Sequence, residues 1–256
     1  MATERVQKIL AQAGISSRRK AEELIQLGEV TINGKIAKLG DKAEWGKDSI
    51  KVRGKLLVKA EAPMYVALYK PRGVICALTD PDNRPTLADY LGKIRTRLFT
   101  VGRLDFNSEG LILLTNDGDF AEKVQKQEQL PRSYMIKVKG HPEPEMIARI
   151  ERGGRVGDDR RKRHFKPYLV KVAQKLQNKT VIQVVILGAG AFDIKSLFEE
   201  RGFLVEKVLR NSIGHLTVNG LVPGGYRMLK ASQVQALLTQ PELGMRELTP
   251  PTPRRS

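Results

Sequence analysis

The opening of the chain carries its apolar residues at helical spacing. Over residues 6–13 they recur three and four positions apart, which predicts an amphipathic helix that Gly14 ends. Ser16 or Ser17 can cap a second helix, and Gly28 ends it. The pattern therefore predicts two short helices at the start of the chain.

The period then changes from helical to alternating. Residues 30–32 alternate, Asn33 and Gly34 are a strong signal for a two-residue hairpin turn, and residues 35–37 return. This order predicts a small helix-helix-hairpin module over residues 1–59. The short polar segment at 60–63 contains a proline and is the expected linker.

The remaining chain mixes strand-like and helix-like segments, so the predicted fold class is α+β. Apolar runs and alternation predict strands at residues 65–69, 74–78, 98–101, 111–115, 133–138, 181–187, 204–209 and 212–218. Helical spacing predicts helices at residues 122–127, 143–151, 194–198 and 231–238. We place a second domain at 64–240 and a mobile, proline-rich tail at 241–256.

The charge of the chain indicates its partner. Forty-five Lys and Arg against 28 Asp and Glu give the 256 residues a net charge of +17, which attracts polyanions. Residues 152–179 form the most basic tract, a pattern typical of a nucleic-acid surface and equally of a solvated loop. Only 5% of the residues are aromatic, so we expect nucleic acid to bind through its backbone rather than on a stacking platform.

Cysteine and histidine give no support for metal chemistry. Cys76 is the single cysteine, which excludes an intramolecular disulfide, and His141, His164 and His215 have no ligand spacing. No apolar run approaches the ~18 residues that span a membrane, and the N-terminus lacks a signal-peptide core. We therefore expect a cytoplasmic protein without a metal and without a membrane partner.

A polar loop between two apolar elements holds the candidate chemistry. The stretch at 101–120 reads VGRLDFNSEGLILLTNDGDF, in which Asp105 lies between Arg103 and Glu109. A rigid scaffold can present polar groups to a ligand at such a loop, and an ordinary polar turn has the same pattern. The residues alone leave both interpretations open.

The segment at 181–202 offers a different interpretation. A strand, two closely spaced glycines and a helix suggest a dinucleotide-binding turn. We reject it, because Asp193 stands where the third glycine is needed and no βαβ unit surrounds the segment.

The stretch at 101–120 closely resembles the catalytic motif of pseudouridine synthases, in which a G-R-L-D core precedes a polar segment, a glycine and a hydrophobic strand. Asp105 matches the invariant aspartate of that motif. Residues 70–73 and 80–86, and Tyr134 after a basic residue, resemble further motifs of the same family. The opening module resembles the S4 RNA-binding domain along its whole length.

The resemblance implies roles for individual residues. Asp105 would attack the anomeric carbon of a flipped uridine or stabilise its oxocarbenium character, Tyr134 would shuttle a proton, and Arg103 would fill the gap that the base leaves. Lys195 takes the place of an arginine that contacts the aspartate in relatives, so the resemblance implies a catalytic Lys195 facing Asp105, and a solvent-facing lysine is the alternative. The implied RNA-facing cations are Arg5, Arg18, Arg19, Lys20 and Lys35 in the S4-like module and, either approaching RNA or shaping the cleft, Lys70, Arg72 and Arg84.

Both domains together resemble the RsuA and RluB branch of the family, which modifies ribosomal RNA. The resemblance implies a mixed, mainly antiparallel sheet with a central cleft that holds Asp105, large-subunit (23S) ribosomal RNA as the partner, no cofactor, and a monomer as the favoured state. An RNA-binding protein that lost the reaction is the main alternative, because residues 190–196 depart from the family pattern. A glycoside hydrolase is a weaker one, because no second carboxyl is recognisable as a partner for Asp105.

Overall fold

The computed structural model describes residues 3–57, 62–156, 163–188 and 192–246. The chain forms two compact units, of which the first contains residues 1–64 with the short segments 94–97 and 116–118, and the second contains the remainder. The linker and the tail that the sequence predicts lie partly outside the described residues. Both boundaries therefore stay predictions.

In its described residues, the first unit consists of two helices and short strands. Its elements are β1 (Glu4–Arg5), α1 (Val6–Gln12), α2 (Arg18–Gln26), β2 (Val30–Ile32), β3 (Lys35–Ile36), β4 (Lys42–Ala43), β5 (Ile50–Val52) and β6 (Lys55–Leu56). The strands form one sheet in the order β3-β2-β5-β6 and a separate pair, β1-β4. The predicted order of two helices followed by a hairpin is confirmed.

Local sequence explains where these elements begin and end. Ser17, rather than Ser16, caps α2, because its hydroxyl oxygen accepts a hydrogen bond from the Lys20 backbone N–H at 3.2 Å. Asn33 and Gly34 have φ angles of 50° and 83°, the left-handed geometry that a tight turn between β2 and β3 requires. The apolar faces of both helices pack against the larger sheet in one core cluster.

The second unit contains a large sheet flanked by helices. Its elements are β7 (Tyr65–Lys70), a 3-10 turn (Leu87–Tyr90), β8 (Phe99–Val101), β9 (Glu109–Thr115), α3 (Gly118–Lys126), β10 (Pro131–Lys139), α4 (Pro144–Glu151), β11 (Gly154–Val156), β12 (Arg163–Phe165), β13 (Leu169–Lys175), β14 (Lys179–Leu187), α5 (Phe192–Glu199), β15 (Val205–Ile213), β16 (Leu216–Thr217), β17 (Tyr226–Met228), α6 (Ala231–Thr239) and α7 (Leu243–Arg246). In the ranges that the structure describes, no helix combines the length and the apolar character needed to cross a bilayer.

The large sheet runs in the order β13-β14-β10-β15-β9-β7-β17. Its neighbours are antiparallel except for β9 and β15, which pair in parallel. One core cluster packs around β7, β9, α3 and α6, and another packs around β10, β14 and α5. The predicted α+β fold with a mixed, mainly antiparallel sheet is confirmed.

Several segments differ from the strands that the sequence predicts. The strands predicted separately at 204–209 and 212–218 are replaced by one long strand, β15, and the short β16. Residues 74–78 form only an isolated bridge from Ile75 to Thr86, because the chain turns there instead of pairing further. The basic tract contains β12 and β13, which its composition did not predict. The side chains of β13 after Val170 are exposed, so charged residues occupy positions where a buried strand would show apolar ones.

The parallel contact between β9 and β15 depends on Gly110. This residue has a φ of 111° and pairs with Arg210. A Cβ at position 110 would lie 2.7 Å from the Arg210 backbone nitrogen and still closer to its carbonyl oxygen. Both the backbone angle and the space therefore require glycine.

We expect Gly110→Ala to lower the free energy of unfolding more than Gly140→Ala does, by about 1 to 3 kcal/mol, the usual cost of overpacking. Gly140 is the matched control, because its φ is also positive at 81° but a Cβ there meets nothing within 4 Å. Urea unfolding of both variants measures the difference. Equal losses would show that backbone strain alone, and not the contact with Arg210, decides the effect.

Candidate active site

Asp105 lies in the loop that joins β8 to β9, and its side chain is exposed. The loop turns directly after it, because the Ser108 backbone N–H donates to the Asp105 carbonyl oxygen at 3.1 Å. Within the described residues, the Asp105 carboxylate has no ion pair and no hydrogen bond. The carboxylate is therefore free to meet a ligand.

The buried side chain of Lys70 holds this loop. Its Nζ donates to the carbonyl oxygens of Asp105 at 3.0 Å, Phe106 at 3.3 Å and Ser108 at 2.7 Å. A fourth contact, at 3.1 Å, reaches the carbonyl oxygen of Pro71. An ammonium group has three hydrogens, so these acceptors satisfy it, and the three in the loop fix the backbone from Asp105 to Ser108.

Burial lowers the pKa of Lys70 to about 8, because removal from water penalises the charged ammonium. The neighbouring Cys76 and Asp105 favour the charged form, and Arg210 disfavours it. Of the two roles predicted for Lys70, contact with RNA is wrong, because the buried Nζ already donates its hydrogens to main-chain carbonyl oxygens. Shaping of the cleft agrees with its position.

A second buried cation, Arg210 of β15, holds the two ends of the same loop. Its Nε donates to the Leu111 carbonyl oxygen at 2.6 Å and its Nη1 to the Arg103 carbonyl oxygen at 3.3 Å. No motif in the sequence singles out Arg210. The available signal was a charged residue within an apolar strand pattern, since arginine is rarely buried there without specific partners.

Tyr134 lies in the middle of β10 and is fully buried. It belongs to the core cluster that also contains Leu104, the residue before Asp105. Its hydroxyl has no hydrogen-bond partner among the described residues. Because buried hydroxyls are normally paired, this one is unusual and marks the position as more than a packing residue.

A second carboxylate next to the loop, that of Glu109, is already engaged. Tyr69 Oη donates to Glu109 Oε1 at 2.8 Å, and Lys207 Nζ lies 2.6 Å from the same oxygen. Burial, then the hydrogen bond and the charge of Glu109, raise the pKa of Tyr69 above its ordinary value. Glu109 therefore has a structural role, which weighs against the pair of working carboxyls that a glycoside hydrolase needs.

The other predicted cations of the second unit differ in their surroundings. Arg103 and Arg72 are exposed, and Arg72 Nη1 reaches the Glu206 carbonyl oxygen at 3.5 Å. Arg84 closes a turn, because its guanidinium donates to both carboxylate oxygens of Asp80 at 2.7 and 2.9 Å. These hydrogen bonds hold the pKa of Asp80 at about 2, below its ordinary value. Arg84 therefore shapes its loop.

The structure does not pair Lys195 with Asp105. Lys195 lies in α5, and its Nζ is 3.1 Å from Oε1 of Glu199, one turn later in the same helix. The contact with Asp105 that would give Lys195 a catalytic role is not formed in this structure, where a carboxylate on the same helix face binds the exposed ammonium. The lysine keeps the charge of the arginine that it replaces in the motif, but not its position beside the aspartate.

The cations predicted to bind RNA in the first unit are all exposed. They are Arg5, Arg18, Arg19, Lys20 and Lys35. Elsewhere in this unit, Lys8 pairs with Glu4 at 2.6 Å and Arg53 pairs with Glu29 at 2.7 Å. Three of the exposed cations stand in the first turn of α2, where positive charge opposes the helix dipole. That placement favours a role in binding over a role in stability.

Two family models match this chain. The RNA pseudouridylate synthase model matches residues 64–196, and the S4 domain model matches residues 4–49. The chain belongs to the RNA pseudouridylate synthase family and is an enzyme that isomerises uridine in RNA to pseudouridine.

Its relatives carry more specific names. Ribosomal large subunit pseudouridine synthase B of Bacillus subtilis (strain 168) is 40% identical over 236 residues, which cover 91% of this chain and 95% of that protein. The protein of the same name from Vibrio cholerae is 34% identical over 248 residues, which cover 94% and 76%. A solved structure described as "Crystal structure of pseudouridylate synthase" aligns with a TM-score of 0.62 and 26% identity, over 91% of this chain and 99% of that one.

These findings confirm the family that the motifs indicated. No observation favours the alternative of a protein that kept the fold and lost the reaction. In the part of the chain that the structure describes, no group of three or more His, Cys, Asp or Glu is placed to hold a metal ion. The roles of individual residues, Asp105 and Tyr134 among them, stay predictions.

The lowered pKa of the buried Lys70 predicts how the free energy of unfolding depends on pH. Between pH 8 and 10.5, its folded and unfolded pKa values, the unfolded chain keeps a proton that the folded protein has released. The wild type therefore gains free energy of unfolding as pH rises through this window, and Lys70→Met lacks that gain. We expect the wild type to become increasingly more stable than Lys70→Met from pH 8 to 10 in urea unfolding.

Lys195→Met serves as the control for this measurement. Its side chain is 53% exposed, so its stability should follow the wild type across the same pH range. Parallel curves for the wild type and Lys70→Met would contradict the prediction.

Proposed function

We propose that the enzyme converts a specific uridine of large-subunit ribosomal RNA into pseudouridine, with Asp105 as the reacting carboxylate. The observation that carries this assignment is the exposed carboxylate of Asp105, which is unpaired among the described residues, on a loop whose carbonyl oxygens accept hydrogen bonds from Lys70. A carboxylate on a fixed backbone can approach a sugar carbon without reorganisation of the loop.

Ribosomal RNA as the substrate is supported by the relatives and by charge. Both relatives described above are named ribosomal large subunit pseudouridine synthases. A net charge of +17 and the exposed cations of an S4 domain suit a phosphate backbone. A ribosomal substrate also agrees with the cytoplasmic location expected from the sequence.

The substrate must change shape before it can react. A stacked uridine hides its sugar and both faces of its base, so the nucleotide has to be flipped out at a cost of a few kcal/mol. Contacts from Arg and Lys to the RNA backbone offset this cost. Arg103, exposed two residues before Asp105, is placed to fill the gap that the base leaves.

The chemistry breaks one bond and forms another at the same carbon. Asp105 attacks C1′ or stabilises its oxocarbenium character while the C1′–N1 bond breaks. The released uracil turns and its C5 bonds to C1′, and where Asp105 has formed an ester its C1′–O bond breaks as the carboxylate leaves. A proton leaves C5 and one is gained at N1, so no atom is lost and no cofactor is needed.

Tyr134 is the group that we assign to proton transfer. A phenol can donate or accept a proton, and the Tyr134 hydroxyl has no internal partner among the described residues. Full burial keeps competing water away from that hydroxyl.

Asp105→Asn should abolish pseudouridine formation and leave RNA affinity within a few-fold of the wild type, because the amide keeps the shape of the carboxylate but is no nucleophile. Carbodiimide adduct mapping of ribosomal RNA detects the mass-neutral product, and a binding titration reports affinity. Asn107→Ala, an exposed residue of the same loop, is the control and should remain active. Turnover by Asp105→Asn near the wild-type rate would refute the assignment.

Replacing Arg18, Arg19 and Lys20 by Gln in one variant should weaken RNA binding and reduce its dependence on salt. On single-stranded RNA, the slope of log K against log salt should fall by about 0.7 for each phosphate that the variant no longer neutralises. The control replaces Lys8 and Arg53, which are paired with carboxylates, and should leave the slope nearly unchanged. An unchanged slope in the triple variant would place the phosphate-binding cations elsewhere.

A further inference from the structure

Arg210 is the residue at which the two candidate catalytic elements meet. In the sheet, β15 lies between β9, which follows the Asp105 loop, and β10, which carries Tyr134. The register pairs Arg210 with Gly110 on one side and with Tyr134 on the other. The backbone of this single residue therefore connects both elements.

The side chain of Arg210 adds a second connection to the loop. It is 3% exposed, and its two hydrogen bonds end on the carbonyl oxygens of Leu111 and Arg103. These acceptors lie on either side of Asp105 in the sequence. Lys70 donates to carbonyl oxygens between them. Arg210 therefore fixes the two ends of the loop, and Lys70 fixes its centre.

Two polar groups without a hydrogen-bond partner among the described residues belong to the two residues that this register pairs. The Arg210 Nη2 and the Tyr134 hydroxyl are both enclosed and without a hydrogen-bond partner among the described residues. Side chains of directly paired residues in antiparallel strands lie on the same face of the sheet, so the Arg210 and Tyr134 side chains share one face. Unpaired buried polar groups reduce stability, so an arginine kept only for stability would not be expected to carry one.

Another buried arginine provides a comparison. Arg132 of β10 is 5% exposed and also donates to two carbonyl oxygens, those of Leu130 and Val124. Neither acceptor belongs to the Asp105 loop. Both guanidinium groups thus have the same kind of partner, and only that of Arg210 acts on the loop.

We propose that Arg210 is a positioning residue of the isomerisation, which fixes the Asp105 carboxylate relative to the Tyr134 hydroxyl. This inference rests on the proposed function, since it gives both residues their roles. Arg210 takes no part in bond formation. It limits the movement of the loop ends, so that the carboxylate meets the sugar at the place where the tyrosine meets the base.

The test compares Arg210→Lys and Arg210→Gln with Arg132→Lys as the matched control. We expect the Arg210 variants to fold, to bind target RNA within about three-fold of the wild type, and to lose on the order of 10²-fold in single-turnover rate at saturating RNA, the scale of a small misplacement. Arg132→Lys should keep its rate within a few-fold. The expected signature is thus a loss in kcat without a matching rise in KM.

Hydrogen exchange measured by mass spectrometry supplies a second readout. Amides of residues 103–111 should exchange faster in Arg210→Lys than in the wild type, while those of β14 remain unchanged, and Arg132→Lys should show no change in the loop. A wild-type rate in folded Arg210→Lys, an equal loss in Arg132→Lys, or failure of both Arg210 variants to fold would each overturn the proposal. An inactive wild type would instead refute the proposed function.

Discussion

The burial of the Lys70 ammonium under the loop at 103–111 is the interaction on which the candidate site depends. A cation removed from water is costly unless acceptors replace its hydration, and here main-chain carbonyl groups of the loop do so. The closed loop and the buried ammonium therefore stabilise each other. If the loop opened, the ammonium would lose its acceptors, and if the ammonium were absent, several carbonyl groups would lose their donor. The hydrogen bonds between Lys70 and the loop thereby fix the backbone at Asp105.

The large sheet supplies the frame for that loop. Its one parallel contact, between β9 and β15, brings Gly110 against Arg210 and leaves no room for a side chain. The antiparallel contact on the other side of β15 brings Tyr134 to the same residue. Strand pairing thus joins the Asp105 loop and a buried phenol that are about thirty residues apart in the sequence. The chemistry follows from the order of the strands more than from any single loop.

Charge has different uses in the two units. In the second unit, Lys70 and Arg210 are buried and donate to main-chain carbonyl oxygens, so they organise the site from within. In the first unit the predicted RNA-facing cations are exposed, and those at the start of α2 oppose the helix dipole. Such exposed cations can raise affinity for a polyanion with little effect on the fold. Binding and positioning are therefore assigned to different cations.

The sequence by itself determined the features that local spacing encodes. The helical and alternating spacing of apolar residues predicted most of the elements, and the Asn33-Gly34 pair predicted the hairpin. The motif around Asp105 indicated the family. Only the tertiary structure showed that Lys70 points inward and that Arg210 reaches Leu111, a residue 99 positions away. Sequence patterns record whether a residue is polar, but the partner of a buried cation depends on which strands become neighbours, and distant parts of the chain decide that together.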